Sequence, residues 1–463
     1  FIRYSNNNIG RLQIVQRKAS GWVNWGTNGE NEFPELPSGS TIVSAYGKFD
    51  NWKKEVDKME ERLSLKIATP TLEDKKDIID FTENHFFIYK VRATSEISSG
   101  ARIFELKFIS PEAVKNTRTR VSKSFVKSKA NIGEVVFDLL AEDIKGIKTS
   151  KEVIIEETTG NRGLIIANSN PFTYITRLAK EAVSKNGSPH YVFFENKNGI
   201  HFTSLQSLYD KPIRGEFHSG DKGSDEEYTG EADAGKIPQT LKRIIEYSIN
   251  TKKDLLLNSS SGMLGGKVIE HNIFSKKYNV KTFSYFDNDN FEKNKRTEQN
   301  RVYSTNVFGP VDQSLNDEIT GGKIHVLPIS KDSNDFDTNY EVGGTPNRQY
   351  ETLLDRQSRF TELNDGISIN MTIHGQTTLA VGNMVNLSLP TLGDDDDGVE
   401  DKFYSGSYLI KRLKHRFDKL GKTHTIDMEV VRDGFPERLD SGEEEISKKP
   451  PTTQPKTPDF AAF

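Results

Sequence analysis

The sequence predicts a β-rich α+β protein in which a small α/β module separates two antiparallel β regions. Three observations carry this prediction. The length of 463 residues corresponds to about three average domains. Apolar and polar residues alternate with strand periodicity around 87–108 and again around 367–430. Between these regions, residues 132–183 show the 3-to-4-residue spacing of amphipathic helices.

Composition excludes several classes of function. The chain is 34% hydrophobic and 28% charged, and its 27 Phe and 15 Tyr supply material for cores. Because it has no cysteine, disulfides, thiolate nucleophiles and Cys-ligated metal sites are excluded. The net charge of -4 gives no overall field for holding nucleic acid or an anionic membrane. There is no signal-like start and no run of eighteen apolar residues, so we expect neither Sec export nor membrane insertion.

The first β region lies before the α/β module, within residues 1–122. Gly, Asn, Ser and Pro interrupt residues 1–47, which indicates loops and short strands. Helical spacing predicts one amphipathic helix over 50–65. Residues 87–93 and 104–108 alternate as two strands, and the turn between them lies at Ser98, Ser99 and Gly100, so this part is a hairpin.

A compact α/β module is predicted over residues 123–202. Asn131 is a candidate N-cap for a helix over 132–140, and Asn170 with Pro171 marks the start of a second helix. A hairpin follows at 191–202, with Asn198-Gly199 as its turn. After it, the acidic stretch from Gly215 to Lys236 is predicted to be a mobile or partner-facing loop.

The second β region is predicted within residues 251–435, where consecutive antiparallel strands with one helix nearby suggest a small barrel or sandwich. A short helix at 241–245 precedes it, and strands are expected around 255–257 and 268–274. An amphipathic helix over 350–360 is followed by four strands, at 367–373, 381–389, 404–417 and 424–430. The apolar phase of the third strand slips between Ile410 and Leu413, which predicts a bulge. The Pro-rich residues 436–463 are predicted to form an extended tail.

No motif in the chain predicts catalysis. Gly262–Lys267 (GMLGGK) resembles a phosphate-binding loop, but Ser261 and Val268 stand where that motif needs Gly and Ser or Thr, so a glycine turn is the better interpretation. Asp287–Asn290 resembles the start of a calcium loop, but Phe291 occupies the third ligand position. Asp394–Asp397 is interpreted as a charged hairpin tip.

The histidines and the basic residues do not predict a functional site either. Only His415 and His424 are placed to face each other across a hairpin, and two imidazoles without a third ligand do not indicate a metal site. The chain has no GxSxG motif, and we therefore predict no catalytic, cofactor-binding or metal-ligating residues. A basic patch contains no acid from Lys115 to Lys129. It suits a solvated face or an acidic neighbouring subunit better than DNA, because Phe125 is its one aromatic residue.

The local sequence of several segments and the order of the predicted elements resemble one known family. The segments FELKFISPEAVKNTRTR (104–120), IGEVVFDLL (132–140), NSNPFTYITRLAKEAVS (168–184) and YVFFENKNGIHFTSL (191–205) resemble the central baseplate hub of contractile-tailed, T-even-type bacteriophages. RQSRFTELNDGISINMTIHGQTTLAVGNMVNLSLP (356–390), FYSGSYLIKRLKHRF (403–417) and HTIDMEVVRDG (424–434) resemble the second barrel of that family.

This resemblance implies a non-enzymatic structural subunit of the virion tail baseplate, assembled in the bacterial host cytoplasm. It implies two tail-tube-like β-barrel domains: the first over 1–122 and 203–250, interrupted by the α/β insertion at 123–202, and the second over 251–435. It also implies a homotrimer whose six barrels adapt the sixfold tail tube to the threefold central spike. Further partners would be wedge and tape-measure proteins, together with DNA passing through the channel without sequence-specific binding. Two alternatives stay open: a tail-associated cell-wall hydrolase, and the hub half of a type VI secretion-like spike.

Overall fold

A computed structural model describes the chain in several stretches. They are residues 2–5, 16–17, 22–24, 42–48, 62–68, 78–81, 83–98, 101–125, 131–141, 146–161, 163–219, 241–251, 253–272, 276, 278–287, 295–303, 322–329, 349–391, 400–418 and 423–436. The predicted acidic loop lies largely outside these stretches. The Asp394–Asp397 run and the Pro-rich tail lie wholly outside them.

An eight-stranded sheet occupies the N-terminal part of the chain. Its strands are β1 (Ile2–Ser5), β2 (Gln16–Arg17), β3 (Trp22–Asn24), β4 (Ile42–Lys48), β5 (Arg62–Ala68), β6 (Ile79–Asp80), β7 (Phe86–Ser98) and β8 (Ala101–Ile109). The order is β1-β8-β7-β5-β4-β3-β2, with β6 paired to β5. The β7–β8 hairpin confirms the predicted one. The helix predicted over 50–65 is wrong at its end, because Arg62 begins a strand that pairs with both β4 and β7.

The α/β module follows directly. It contains α1 (Pro111–Arg118), β9 (Val121–Phe125), α2 (Ile132–Leu140), β10 (Val153–Ile155), β11 (Leu164–Ser169), α3 (Pro171–Ala179), β12 (Tyr191–Asn196) and β13 (Gly199–Ser204), and α4 (Leu205–Tyr209) leaves it. β10 pairs parallel and β12 antiparallel with β13, whereas β9 and β11 form a separate pair. The inner faces of α2 and α3 supply buried Ile, Val and Leu to one core, as their spacing predicts.

Local signals in the module were partly predictive. The side chain of Asn131 accepts a hydrogen bond from Gly133 N at 2.9 Å and caps α2 as predicted. Asn170 precedes α3 but makes no cap bond; Asn116 Oδ1 accepts from Phe172 N at 2.9 Å instead, and the Asn170 amide donates to the carbonyl oxygen of Asn116 at 2.6 Å. In the β12–β13 hairpin, the two turn residues are Lys197 and Asn198, one position earlier than predicted.

The remaining elements build the C-terminal part. They are β14 (Ile213–His218), β15 (Ile244–Thr251), α5 (Leu255–Ser261), β16 (Gly265–Asn272), β17 (Tyr278–Ser284), β18 (Ile324–Ile329), α6 (Gln349–Asp365), β19 (Ile367–His374), β20 (Met384–Ser388), β21 (Gly406–Asp418) and β22 (Thr423–Arg432). Within the described residues, no helix is both long and apolar enough to cross a membrane.

A six-stranded sheet has the order β14-β20-β21-β22-β19-β15. β14 pairs parallel to β20, and the other neighbours are antiparallel. An isolated bridge between His218 and Arg243 brings the two edge strands together at one point, so the sheet curls back on itself. The register of β21 shifts between Ile410 and Arg412, which confirms the predicted bulge.

Two local predictions between the β regions are wrong. Ile244 and Ile245 lie on strand β15 and not on a helix, because β15 pairs with β19 over its whole length. Leu255–Leu257 begin helix α5 and not a strand, since Asp254 caps the helix by accepting from Leu257 N at 2.9 Å. The prediction also grouped 203–250 with the first 122 residues; the strands β14 and β15 in that range pair with β20 and β19.

A three-stranded sheet, β17-β16-β18, and helix α6 complete the fold. α6 packs against β16 and β17 and also against β19 and β22, so it joins the two sheets. The largest core fills the inside of the curled six-stranded sheet with alternate residues of its strands, among them Ile369, Val385, Ile410 and Val430. The described structure is thus β-rich with few helices.

Candidate functional site

The outer side of the six-stranded sheet is lined by charged and amide side chains in cross-strand register. One row runs Lys414, Asp427, Thr372 and Glu246, and the next runs Arg412, Glu429, Asn370 and Ser248. These residues, with Arg416, line a shallow open groove and are called the polar face below. Strand alternation explains the pattern, because the intervening residues Ile426, Met428 and Ile369 point into the core.

On the polar face, the cations outnumber the carboxylates with which they pair. The Asp427 carboxylate is 2.9 Å from Arg416 Nη2 and 3.7 Å from Lys414 Nζ. The Glu429 carboxylate is 2.9 Å from Lys411 Nζ and 3.3 Å from Arg412 Nε. Four cations therefore share two carboxylates, so the β21 side of the face carries surplus positive charge. This positive side of the face suits an acidic protein surface. Complementary charges would fix the orientation of such a partner more than they would raise its affinity.

One end of the same side of the sheet is covered. There, Leu409 and Val431 pack with Met384 against Leu363 of α6 and against Leu205, Leu208 and Tyr209 of α4. The α/β module adds Val192 and Phe194 to this cluster. Helix α6 also binds the module directly, because Arg356 donates to the carbonyl oxygens of Pro189 and Tyr191 at 2.9 and 2.8 Å. The covered end thus fixes the module beside an open polar face.

A buried ionic cluster lies where α6, the end of β22 and residues 295–297 meet. Asp433 accepts hydrogen bonds from Arg359 Nη1 at 2.8 Å, from Tyr209 Oη at 3.1 Å and from Thr297 N at 2.9 Å. Glu362 accepts from Tyr285 Oη at 2.6 Å and is paired with Arg296. Both carboxylates are essentially inaccessible to solvent.

The two carboxylates of this cluster are shifted in opposite directions. Burial raises the pKa of Glu362, and the cations of Arg296 and Arg359 only partly offset it. Burial also acts on Asp433, but Arg359, Arg296 and the hydrogen bonds from Thr297 outweigh it and hold its pKa below the ordinary value. Because every oxygen of the pair faces a partner and neither carboxylate lies in a cleft, the arrangement serves packing better than acid–base chemistry.

The glycine-rich segment connects a helix to a strand. Gly262 has a φ of +85° and ends α5, and Met263 and Leu264 are buried before β16 begins at Gly265. A phosphate-binding loop needs the reverse order, strand and then helix. An added Cβ at Gly262 would lie 2.7 Å from Lys323 Cβ, so glycine serves close packing there.

Other candidate residues have structural partners. Lys115 donates to the carbonyl oxygen of Lys148 at 2.8 Å, and Arg120 Nη1 lies 3.4 Å from that of Asn168. Lys123 is 3.7 Å from Asp138 and lies over the Phe125 ring. Residues 126–130 of the basic patch and 288–290 of the calcium-like segment lie outside the described residues.

His415 and His424 face each other as predicted. His415 Nδ1 and His424 Nε2 are 3.0 Å apart, and the two rings are tilted by 31°. Burial, followed by the charge of Lys197, lowers the pKa of His415 to about 4. Burial, followed by His415, lowers that of His424 to about 3. Among the described residues, no group of three His, Asp or Glu is placed to hold a metal ion.

Sequence reasoning missed the ionic cluster and the rows of the polar face. Tyr209 and Asp433 are 224 residues apart, and no local spacing connects them. A weak signal exists on helix α6, where Arg359 and Glu362 are charged residues three positions apart on the buried side. Charge alternation on β21 and β22 was visible, but its register across the sheet required the strand order.

No protein-family model and no curated protein matches the chain. Among solved structures, the chain is similar to a tail protein from Neisseria meningitidis MC58, with 10% identity, coverage of 86% of this chain and 89% of that one, and a TM-score of 0.43. It is also similar to a chain of the Francisella PdpA-VgrG complex, with 10% identity, coverage of 87% and 53%, and a TM-score of 0.35.

A third similar structure is the E. coli c3393 protein, described as a component of the type VI secretion system with structural similarity to the T4 bacteriophage tail proteins gp27 and gp5. The identity is 9%, the coverage is 85% of this chain and 73% of that one, and the TM-score is 0.32. These similar structures thus include a tail protein and a component of the type VI secretion system.

Proposed function

We propose that this chain is a structural subunit of a tail baseplate and, within it, the central hub. Its six barrels in a homotrimer would adapt a sixfold tube to a threefold spike. The observation that carries the proposal is the order of parts along the chain: an antiparallel sheet, an α/β module, and a curled six-stranded sheet with a docked helix. This is the order that the sequence segments resembling the hub family imply.

The polar face supports a role in assembly. Its surplus cations lie on rigid strands, next to an end that α6 and the module already cover. A rigid charged face positions a neighbour around a ring, because side-by-side contacts of a closed ring are heterologous and need one defined complementary surface. In this proposal, the polar face meets an acidic surface of a neighbouring subunit or of the tube.

The experiment measures mass and symmetry. The full chain would be examined by light scattering and by electron cryomicroscopy, alone and with the tube and spike proteins of the same tail. We expect a homotrimer with threefold symmetry, a pseudo-sixfold ring of barrels and co-assembly with both partners. A chain that stays monomeric and binds neither partner contradicts the proposal. Cell-wall degradation by the purified chain would favour the hydrolase alternative instead.

A charge-reversal variant tests the polar face within that assembly. R412E/K414E/R416E is expected to keep the fold and to weaken assembly, since the exposed ion pairs contribute little to stability. The matched control R177E/K180E/K185E makes the same change of charge at exposed residues of the α/β module, outside the basic patch, and should assemble normally. Equal loss in both variants would mean that overall charge matters and this face does not.

A further inference from the structure

The histidine pair lies at a junction between two sheets. His415 and His424 project from the β21–β22 hairpin on its core side, and the ring of Phe417 stacks on His424 with a centroid distance of 4.4 Å. Phe417 in turn packs on Ile67 of β5 and Ile79 of β6, with Phe81 beside them. The pair therefore supports the contact between the six-stranded sheet and the eight-stranded one.

The His424 ring is tightly packed against the backbone of β19. A Cβ on Gly375 would lie 2.0 Å from the Cγ and Nδ1 atoms of His424, so the ring lies directly on the backbone of residue 375. Gly375 N also donates to the carbonyl oxygen of His424 at 2.9 Å. His424 Nδ1 is buried and has no hydrogen-bond partner among the described residues. A proton arriving there would be a buried charge without an acceptor.

Among the described residues, the charges that act on the two rings oppose an imidazolium. Lys197 of the β12–β13 turn acts on His415 as a like charge. On β5 and β6, Lys66 and Asp80 are paired with each other at 3.4 Å. At the end of β19, burial and then the cation of Arg243 lower the pKa of His374. Protonation of the pair is thus opposed from the module side and is not assisted by the other two elements.

We propose that the His415–His424 pair is an acid-sensitive contact, which holds the β21–β22 hairpin against β5 and β6 while both rings are neutral and releases them on protonation. The N–H···N bond needs one protonated and one bare nitrogen. A first proton places a charge in the buried contact, and a second removes the accepting nitrogen. Either change favours an open junction in which both rings reach water.

The test is hydrogen exchange of the full chain, read by mass spectrometry between about pH 7 and about pH 4 and corrected for intrinsic exchange rates. The folded rings titrate below the ordinary histidine value of about 6.5, so the open state binds protons first. The opening constant should therefore rise as the pH falls below that value, by up to about tenfold per pH unit for each histidine. The rise should occur together in 62–68, 78–81 and 423–428, and not in 191–204.

A paired set of variants separates the histidines from general acid effects. H415N/H424Q keeps neutral hydrogen-bonding atoms near the Nδ1 and Nε2 positions and should abolish the acid response. H325Q removes a histidine from β18, whose Nε2 lies 3.2 Å from Gln357 Oε1, and should keep the response. An unchanged response in the double variant overturns the proposal. In the unmodified chain, opening of the hairpin without β5 and β6 overturns it too, even if the double variant does not fold.

Discussion

Arg359 Nη1 and Asp433 Oδ2 are 2.8 Å apart, and both side chains are almost completely buried. This ion pair fastens the docked helix α6 to the residue that follows β22. Two further side chains donate hydrogen bonds to the Asp433 carboxylate: Tyr209, at the end of α4, and Thr297, in the segment 295–303. One carboxylate thus joins four parts of the chain that are distant in sequence.

Removal of this charge should be costly. D433N removes the nearer counter-ion of the buried Arg359 cation and leaves only Glu362, at 3.9 Å, so we expect a loss of about 3–5 kcal/mol in the free energy of unfolding of this sheet. The matched control is D427N on the polar face, where Asp427 pairs with the exposed Arg416, and it should cost less than about 1 kcal/mol. Denaturant unfolding followed by tyrosine fluorescence measures both. Equal costs would mean that Asp433 is not the buried anchor described here.

Neutralisation of Glu362 should be tolerated better. Since burial raises the pKa of Glu362, its charged form opposes folding, and E362Q should cost less than D433N at neutral pH. Asp433 behaves in the opposite way, because its pKa is lowered in the folded protein and its charged form therefore stabilises the fold above about pH 4. This stabilisation is lost as the pH falls through the pKa of Asp433 in the folded protein. Unfolding curves at several pH values should show the D433N deficit shrinking in acid. A constant deficit would contradict this assignment.

A methyl group at residue 375 should destabilise the β19–β22 region. G375A places Cβ against the His424 ring, which is stacked on Phe417, and we expect a cost of about 1–3 kcal/mol for the overpacking. H424A opens the space, so the double variant G375A/H424A should cost less than the sum of the single changes. A double-mutant cycle on thermal or denaturant unfolding measures this coupling. Strict additivity would show that the ring can move aside.

The contact of the module with α6 should depend on Arg356. R356M keeps a long unbranched side chain but removes both hydrogen bonds to the carbonyl oxygens of Pro189 and Tyr191. The module should therefore loosen while the six-stranded sheet stays intact. Limited proteolysis should then cut faster around 186–190. K115M removes an exposed donor to the carbonyl oxygen of Lys148 and should leave the cleavage rate unchanged. Faster cleavage in both variants would point to a general effect of lost charge.

Sequence predicted the fold best where the physical signal is local. The phase slip near Ile410 identified a bulge, and Asn131 identified a helix start, because each depends on neighbouring residues only. Leu255–Leu257 were misassigned since a short apolar run suits either a strand or a helix, and the Asp254 cap decided it. Partners such as Tyr209 and Asp433 could not be predicted, because only the tertiary fold brings them together.

The interleaved order of the six-stranded sheet also sets when it can form. β14 and β15 are synthesised long before β19 and β20, the strands with which they pair. β22 lies between β21 and β19 in the sheet, so the sheet is incomplete until Arg432 has left the ribosome. Such non-local pairing is slow, and the waiting strands expose unpaired edges. Folding of this region is therefore a late event, and a nascent chain stalled before β22 would be prone to aggregate.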